Sequence, residues 1–176
     1  LENLTLLGTA AISGTGNTLN NTFRGNSGQN VLSGLAGNDR IHAGSGNDTL
    51  LGGDGVDTLY GEGNNDVITG GAGNDVLAGA GGNDTFTYAN LSEGIDSIID
   101  FSAPNDTISV SASGFGGGLT PGAAIGTAQF LAAAGAIAAT DPNQRFIYNT
   151  TTGALLFDAD GSDPGVVPVQ FATLTT

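Results

Sequence analysis

The sequence predicts an all-β protein, in which short parallel strands coil around one apolar core and a small, mostly β region with one short helix follows. The main observation is a nine-residue repeat over residues 25–87, preceded by a degenerate copy that starts at Gly16. A glycine- and asparagine-rich linker has no reason to keep a large apolar residue at a fixed spacing. Here the eighth position of every copy is apolar: Phe23, Leu32, Ile41, Leu50, Leu59, Ile68, Leu77 and Phe86.

The last three residues of each repeat are the predicted strand. In Thr58-Leu59-Tyr60 the middle side chain points to one face and its neighbours to the other, and Thr and Val often occupy the flanking positions. The six residues before the strand are rich in glycine and are predicted to turn sharply. One short strand cannot bury its apolar side chain alone, so the repeats must stack. With two strands per turn, equivalent residues 18 positions apart lie about 4.8 Å from each other.

The charge of the chain indicates a cation ligand. There are 17 acidic residues, three arginines and no lysine, giving a net charge of −14 that excludes nucleic acid and anionic membrane surfaces as partners. The sixth repeat position carries much of the acid: Asn21, Asn30, Asp39, Asp48, Asp57, Asp66, Asp75 and Asp84. Stacking brings such carboxylates together in pairs 18 residues apart, where they repel each other unless a hard cation such as Ca²⁺ lies between them. The predicted pairs are Asp39–Asp57 and Asp57–Asp75 on one edge, and Asp48–Asp66 and Asp66–Asp84 on the other.

These repeats resemble the RTX (repeats-in-toxin) calcium-binding family, whose pattern is GGxGxDxUx with U large and apolar. The repeats from Gly52 and Gly70 match this pattern in full. The resemblance implies a parallel β-roll, a form of β-helix or solenoid, with several Ca²⁺ ions in both rows of turns. Asn30 stands at a ligand position with one neutral oxygen, so the N-terminal sites are expected to be weak or empty. The resemblance also implies carbonyl ligands from the loops, namely Gly52, Gly53, Gly55, Gly61, Gly63, Gly70, Gly71, Gly73, Gly79, Gly81 and Gly82.

Beyond the repeats, the segment from Gly94 resembles the G-x-D-x-I-x-D-F sequence that closes an RTX roll. The resemblance implies that Asp96 and Asp100 are ligands of the last ions, with Asp106 a weaker candidate. A solvated acidic turn is the alternative. Asp158 and Asp160 alternate before a glycine, which fits either a further calcium loop or a turn in which the carboxylates bind their own backbone.

Three regions are predicted: an N-terminal strand or cap with the degenerate repeat (residues 1–24), the calcium-binding roll (25–110) and a non-repetitive C-terminal region (111–176). In the last region we expect a short helix around residues 128–134, a hairpin of residues 145–149 and 154–157, and a strand over residues 166–174. Its general pattern resembles the C-terminal part of RTX proteins, where the type I secretion signal lies. Because methionine is absent, we expect the chain to be a piece of a longer protein.

No catalytic role is predicted for this chain. His42 is the only histidine, falls at the ninth repeat position and is expected to face solvent, while cysteine is absent. Carboxylates that recur in one frame favour ion binding over a single catalytic pair.

The predicted function is a module that folds on extracellular calcium, and the resemblance implies that it belongs to a Gram-negative bacterial protein. By resemblance it supports type I secretion and the stability of a larger secreted or cell-surface protein. Its predicted partners are calcium ions, the type I machinery and other copies of the roll. The alternatives are a building block of a surface-layer or adhesin protein, and the C-terminal end of a secreted hydrolase or epimerase.

Overall fold

The computed structural model describes residues 2–175 and contains two β-sheets that share one core. The first sheet has ten strands, in the spatial order β1 (Asn3–Thr5), β3 (Thr22–Arg24), β5 (Arg40–Ser45), β7 (Thr58–Gly63), β9 (Val76–Ala78), β11 (Asp96–Ile98), β16 (Val169–Leu174), β15 (Ala154–Phe157), β14 (Phe146–Asn149) and β13 (Phe130–Ala133). The second has six: β2 (Ser13–Thr15), β4 (Val31–Ala36), β6 (Thr49–Asp54), β8 (Val67–Ala72), β10 (Thr85–Tyr88) and β12 (Thr107–Val110). The prediction of an all-β parallel roll is confirmed.

Successive strands of the repeat region alternate between the two sheets, and each pairs in parallel with the strand one turn away. Arg40 pairs with Thr58 in the first sheet and Thr49 with Val67 in the second, a spacing of 18 residues that confirms two repeats per turn. The spacing lengthens after Phe86, because Thr85 pairs with Thr107 in the second sheet. The extra residues enlarge the last turn, and the nine-residue frame ends there.

The core of the roll is one file of apolar side chains for each sheet. All eight residues at the eighth repeat position are at most 1% exposed, which confirms the predicted inward direction. At the C-terminal end Ile98 and Leu174 continue the file of the first sheet, because β11 and β16 pair in parallel. The sheet therefore carries the core from the repeats into the non-repetitive region.

The C-terminal region adds a mixed extension to the first sheet. The predicted hairpin is present as antiparallel β14 and β15, and β15 is also antiparallel to β16. Phe171 packs edge to face against Tyr88 and Phe115, with ring centroids 5.1 Å apart in both pairs. An apolar cavity of about 420 Å³ lies beside this aromatic cluster, lined in part by Phe101 and Phe130.

The predicted helix around residues 128–134 is wrong. Thr127–Gln129 form a single 3₁₀ turn, and residues 130–133 form strand β13, which pairs in parallel with β14. Strand pairing overrides the helix propensity of alanine here, as tertiary context often does. The α-helix of the region, α1, is Ala112–Phe115, capped by the Ser111 side chain.

Two other predictions about the ends of the chain can be compared with the structure. The last strand begins at Val169 rather than at residue 166, since Pro168 has no N–H to donate to a ladder. The expected N-terminal strands are present as β1 and β2, while Leu1 and Thr176 lie outside the described residues. Between residues 2 and 175, no helix is long and apolar enough to cross a membrane.

Candidate metal centre

The sixth-position residues of the repeats lie where each glycine-rich loop enters its strand. The loop folds over them, so that all six aspartates are at most 2% exposed: Asp39, Asp48, Asp57, Asp66, Asp75 and Asp84. Aspartate is seldom buried in this way without a partner. The loops therefore hold the carboxylates inside the molecule, along the two edges where one sheet passes to the other.

Within each row the carboxylates are linked to the backbone of the neighbouring turn. The Asp39 N–H donates to Oδ1 of Asp57 at 2.7 Å, and the Asp57 N–H donates to Oδ1 of Asp75 at 2.8 Å. The other row repeats the pattern, with the Asp48 N–H bonded to Asp66 at 2.8 Å and the Asp66 N–H bonded to Asp84 at 2.9 Å. One oxygen of each carboxylate is thus used by the fold itself.

The rows end at two residues that follow the repeats. The Asp75 N–H donates to Oδ1 of Asp96, and the Asp84 N–H donates to Oδ1 of Asp106, both at 3.0 Å. Asp106, the weaker candidate in the sequence, therefore has the same relation to its row as Asp96 has to the other.

The second carboxylate oxygen is the unusual feature of the site. Oδ2 of each of the six repeat aspartates is buried and has no hydrogen-bond partner. Leaving a charged acceptor in this state costs several kcal/mol, because the oxygen loses water and gains nothing in exchange. Each such oxygen therefore needs a proton or a cation as its partner.

At Asp39 and Asp57 the space beside the unpartnered oxygen also contains a backbone carbonyl oxygen. A Cβ placed on Gly52 would lie against Asp57 Oδ2 and the backbone carbonyl of Gly70. A Cβ on Gly34 would likewise meet Asp39 Oδ2 and, at 2.7 Å, the Gly52 carbonyl oxygen. In these two repeats glycine at the first position thus leaves room next to one carboxylate and one carbonyl oxygen. A cradle of oxygens without nitrogen or sulfur fits Ca²⁺.

The two rows of aspartates carry negative charge without a compensating positive charge. Burial raises the pKa of Asp57 to about 6, with the Asp75 and Asp39 charges adding to the effect. Burial also raises the pKa of Asp66 to about 7, and that of Asp96 to about 7. In residues 2–175 the one contact of salt-bridge length between a basic and an acidic side chain joins His42 to Glu62 on the outer surface, so no arginine neutralises the rows. The protein alone does not supply the charge that these carboxylates need.

Asp100 lies next to the loop of the last repeat rather than in either row. Its Oδ1 accepts from the Gly79 N–H at 3.2 Å and its Oδ2 from the Ala80 N–H at 2.8 Å, so the side chain caps that loop.

The carboxylates of Asp158 and Asp160 lie in the C-terminal region, away from the repeat loops. The buried Asp158 accepts from the Ala139 N–H at 3.4 Å and the Asp160 N–H at 3.3 Å. Oδ1 of Asp160 is buried and unpartnered. The backbone contacts match the capping alternative and the orphan oxygen matches the calcium alternative.

His42 is on the outer face but is more covered than expected, since only 18% of its side chain is exposed. Its ring stacks on Tyr60 with centroids 4.7 Å apart, and its Nδ1 lies 2.9 Å from Glu62 Oε1. Arg40 donates from Nε to its Nε2 at 3.1 Å. The histidine therefore contacts the neighbouring turn on the outer face of the roll and is not part of the rows of aspartates.

Two features of the loops were missed in the sequence. Gly34 forms a cradle although its repeat departs from the family pattern at Leu35, and the fixed glycine at the first position was the available signal. The fifth position carries a second ladder, in which the Val56 N–H donates to Asn38 Oδ1 at 3.0 Å and the Asn83 N–H to Asn65 Oδ1 at 2.9 Å. This ladder ties turns together without any ion.

Fold and site together define a β-roll of nonapeptide repeats with two rows of buried oxygen cradles. The model of the RTX calcium-binding nonapeptide repeat (four copies) matches residues 15–50 and 51–86. The repeat region of this chain belongs to that family, and the family is one of calcium-binding modules. No curated protein matches the chain.

Proposed function

We propose that this chain is a calcium-dependent folding module, in which ions along both edges tie successive turns of the roll together. The observation that carries the proposal is the set of six buried Oδ2 atoms without a partner. Those of Asp39 and Asp57 lie beside a loop carbonyl, and that of Asp75 shares the space beside Gly70 with Asp96 Oδ2. Calcium supplies the positive charge and accepts six to eight oxygen ligands. No catalytic step is assigned to the chain.

Different residues supply different ligands of the ions. Asp57, Asp66 and their equivalents supply the charged oxygens, while the loop glycines supply carbonyl oxygens and the space. Asp96 and Asp106 close the two rows, because each receives the N–H of the last repeat aspartate. Since the cradle combines atoms from different turns, it exists only in the folded roll, and ion binding and folding are one process.

The stability gained from the ions is large enough for calcium to switch the module from unfolded to folded. With calcium at ten times its dissociation constant, each site adds about 1.4 kcal/mol. Sites at the five repeat aspartates that have glycine at the first position would together add about 7 kcal/mol, which is the stability of a whole domain. Where calcium is scarce, the net charge of −14 keeps the chain expanded.

We therefore extend the proposal to secretion. An expanded chain is the state that a narrow export channel of the type I route can pass, and millimolar calcium outside the cell would then fold it. This role places the module outside the cell, as part of a larger secreted or surface protein. It is supported by the family of the repeats and by the charge of the rows.

Circular dichroism and calorimetry test the calcium proposal directly. Calcium added to chelator-treated protein is expected to produce the strand signal and a heat of binding with several ions per chain. The combined variant Asp57→Asn, Asp66→Asn and Asp75→Asn should bind fewer ions. A matched control changes the exposed Asp54, Asp141 and Asp163 to asparagine, with the same loss of charge. Equal calcium binding by the two variants, or a full strand signal in chelator, would contradict the proposal.

The secretion proposal has its own experiment, with a passenger fused to residues 1–176 and exported by a type I system. The row variant should be exported more slowly or arrive unfolded, whereas the exposed-residue control should behave like the parent. Equal export and folding of both variants would leave calcium binding intact but remove its role in export.

A further inference from the structure

Two repeats differ from the rest at two positions at once. The repeats from Gly16 and Gly25 carry Asn21 and Asn30 at the sixth position, where the later repeats carry aspartate. The same two repeats also carry asparagine at the second position, as Asn17 and Asn26. The second positions of the later repeats are Leu35, Gly44, Gly53, Glu62, Gly71 and Ala80. The asparagines therefore occur as pairs, four residues apart.

Each pair is joined by two hydrogen bonds. Nδ2 of Asn21 donates to Oδ1 of Asn17 at 3.1 Å, and the Asn17 N–H donates to Oδ1 of Asn21 at 2.8 Å. In the next repeat Nδ2 of Asn30 donates to Oδ1 of Asn26 at 3.1 Å, and the Asn26 N–H returns a bond of 3.0 Å. Nδ2 of Asn30 also donates to the Ile12 carbonyl oxygen at 3.0 Å, which ties this loop to the preceding turn.

The aspartate repeats lack such a closed pair. Their Oδ2 atoms have no partner, whereas the asparagine amides supply their own hydrogens. The loop conformation differs as well. Leu35 and Glu62 at the second position have φ of 82° and 77°, while Asn17 and Asn26 are not among the residues with positive φ. Chemistry and backbone shape thus separate the first two repeats from those that follow.

We propose that the pairs Asn17–Asn21 and Asn26–Asn30 are ion-free locks that replace calcium in the first two repeats. The inference rests on the calcium binding proposed above and places the first ion site at Asp39. In these repeats the oxygen beside the first-position glycine is Oδ1 of the asparagine, which is neutral and already accepts the N–H of Asn17 or Asn26, so the pair needs no cation. The loops of the first two repeats are therefore held by their own hydrogen bonds and do not depend on the calcium concentration. They form a stable end on which the ion-dependent turns stack.

Calcium stoichiometry and hydrogen exchange of the calcium-loaded full chain test the locks. Asn21→Ala and Asn30→Ala should leave the number of bound ions unchanged, and should speed exchange of the Asn17 and Asn26 amides by about tenfold. The paired changes Asn17→Gly with Asn21→Asp, and Asn26→Gly with Asn30→Asp, convert each lock to the repeat pattern. Each conversion should add about one ion.

Loss of an ion in Asn21→Ala or Asn30→Ala would show that these residues are ligands and overturn the inference, as would unchanged exchange in both. If an alanine variant fails to fold, Asn17→Ala or Asn26→Ala removes the bond from Nδ2 of the partner and keeps the backbone bond. A smaller rise in the same exchange rates and an unchanged number of ions are then expected. A parent chain that binds no calcium would refute the proposed function instead, and the exchange data alone would then decide whether the pairs are locks.

Discussion

The repeat roll and the C-terminal region are joined in one sheet but are stabilised differently. In the roll, most strands bury one large aliphatic side chain such as Leu59, and the loops bury six carboxylates with an unpartnered oxygen. In the C-terminal region, the rings of Phe146 and Phe157 pack at 5.1 Å and those of Phe115 and Phe157 at 5.3 Å. A narrow core with buried charge depends on a cation, whereas an aromatic core depends on packing. The two regions should therefore respond to different perturbations.

Chelation of calcium is expected to have the largest effect and to separate the regions most clearly. Amide hydrogen exchange of residues 34–88 should become fast in chelator, because the stability of the roll depends on its ions. Peptides from residues 130–174 should keep more of their protection, as their contacts are apolar. Hydrogen exchange with mass spectrometry measures both in one sample. Uniform loss or uniform retention of protection would refute the division into two regions.

Truncation of the aromatic core is the converse test. Phe171→Ala removes a fully buried ring that contacts Tyr88, Phe115 and Phe146, and should cost about 3–5 kcal/mol. Because the ring of Phe171 packs on other rings and supplies no ligand oxygen, the calcium stoichiometry should not change. Denaturant unfolding in saturating calcium measures the cost and calorimetry the stoichiometry. A reduced number of ions would show that the regions are coupled more tightly than their contacts indicate.

Two glycines of one repeat test whether the space beside Asp66 holds an ion. Gly61→Ala places a Cβ against Asp66 Oδ2, and should cost about 1–3 kcal/mol and one bound ion. Gly63→Ala is the matched control, since its Cβ would have no neighbour closer than 3.8 Å. Both variants are compared by thermal unfolding and calcium titration. Equal behaviour of the two would mean that the space beside Asp66 is not an ion cradle.

The smallest effect is that of pH, and its sign depends on calcium. The pKa of Asp66 rises from 3.8 to about 7 in the ion-free fold, so between these values the folded state binds more protons than the unfolded state. Without calcium, the roll should therefore lose stability as pH rises through this window. With calcium, protons compete with the ion, and affinity should fall roughly tenfold from pH 8 to pH 6. Unfolding in chelator that is independent of pH would contradict this account.

The repeat frame made most of the roll predictable from the sequence. The inward file of Leu59 and its equivalents, the 18-residue register and the two edges all follow from one period. The division of each carboxylate into a bonded and an orphan oxygen did not follow, because it depends on where the N–H of the neighbouring turn lies. The asparagine pairs were visible as a substitution at the sixth position, but their contact needed the loop conformation.

The C-terminal region was less predictable because no period guides it. The hairpin of β14 and β15 was found from its turn residues, since Thr152 and Gly153 give a local signal. Strand β13 was predicted as helix, because its alanines carry local propensity while its pairing with β14 joins segments about 16 residues apart. Local rules fail where a partner distant in the sequence decides the structure.

The register of the roll also sets the step by which such a module can change in length. Each turn uses two repeats, and β16 can pair only with the strand that ends the first sheet. Insertion of 18 residues would add one turn and return the chain to the same sheet, whereas insertion of nine would deliver β11 to the opposite one. Insertions that keep the C-terminal region paired with the first sheet are therefore those that add repeats in even numbers.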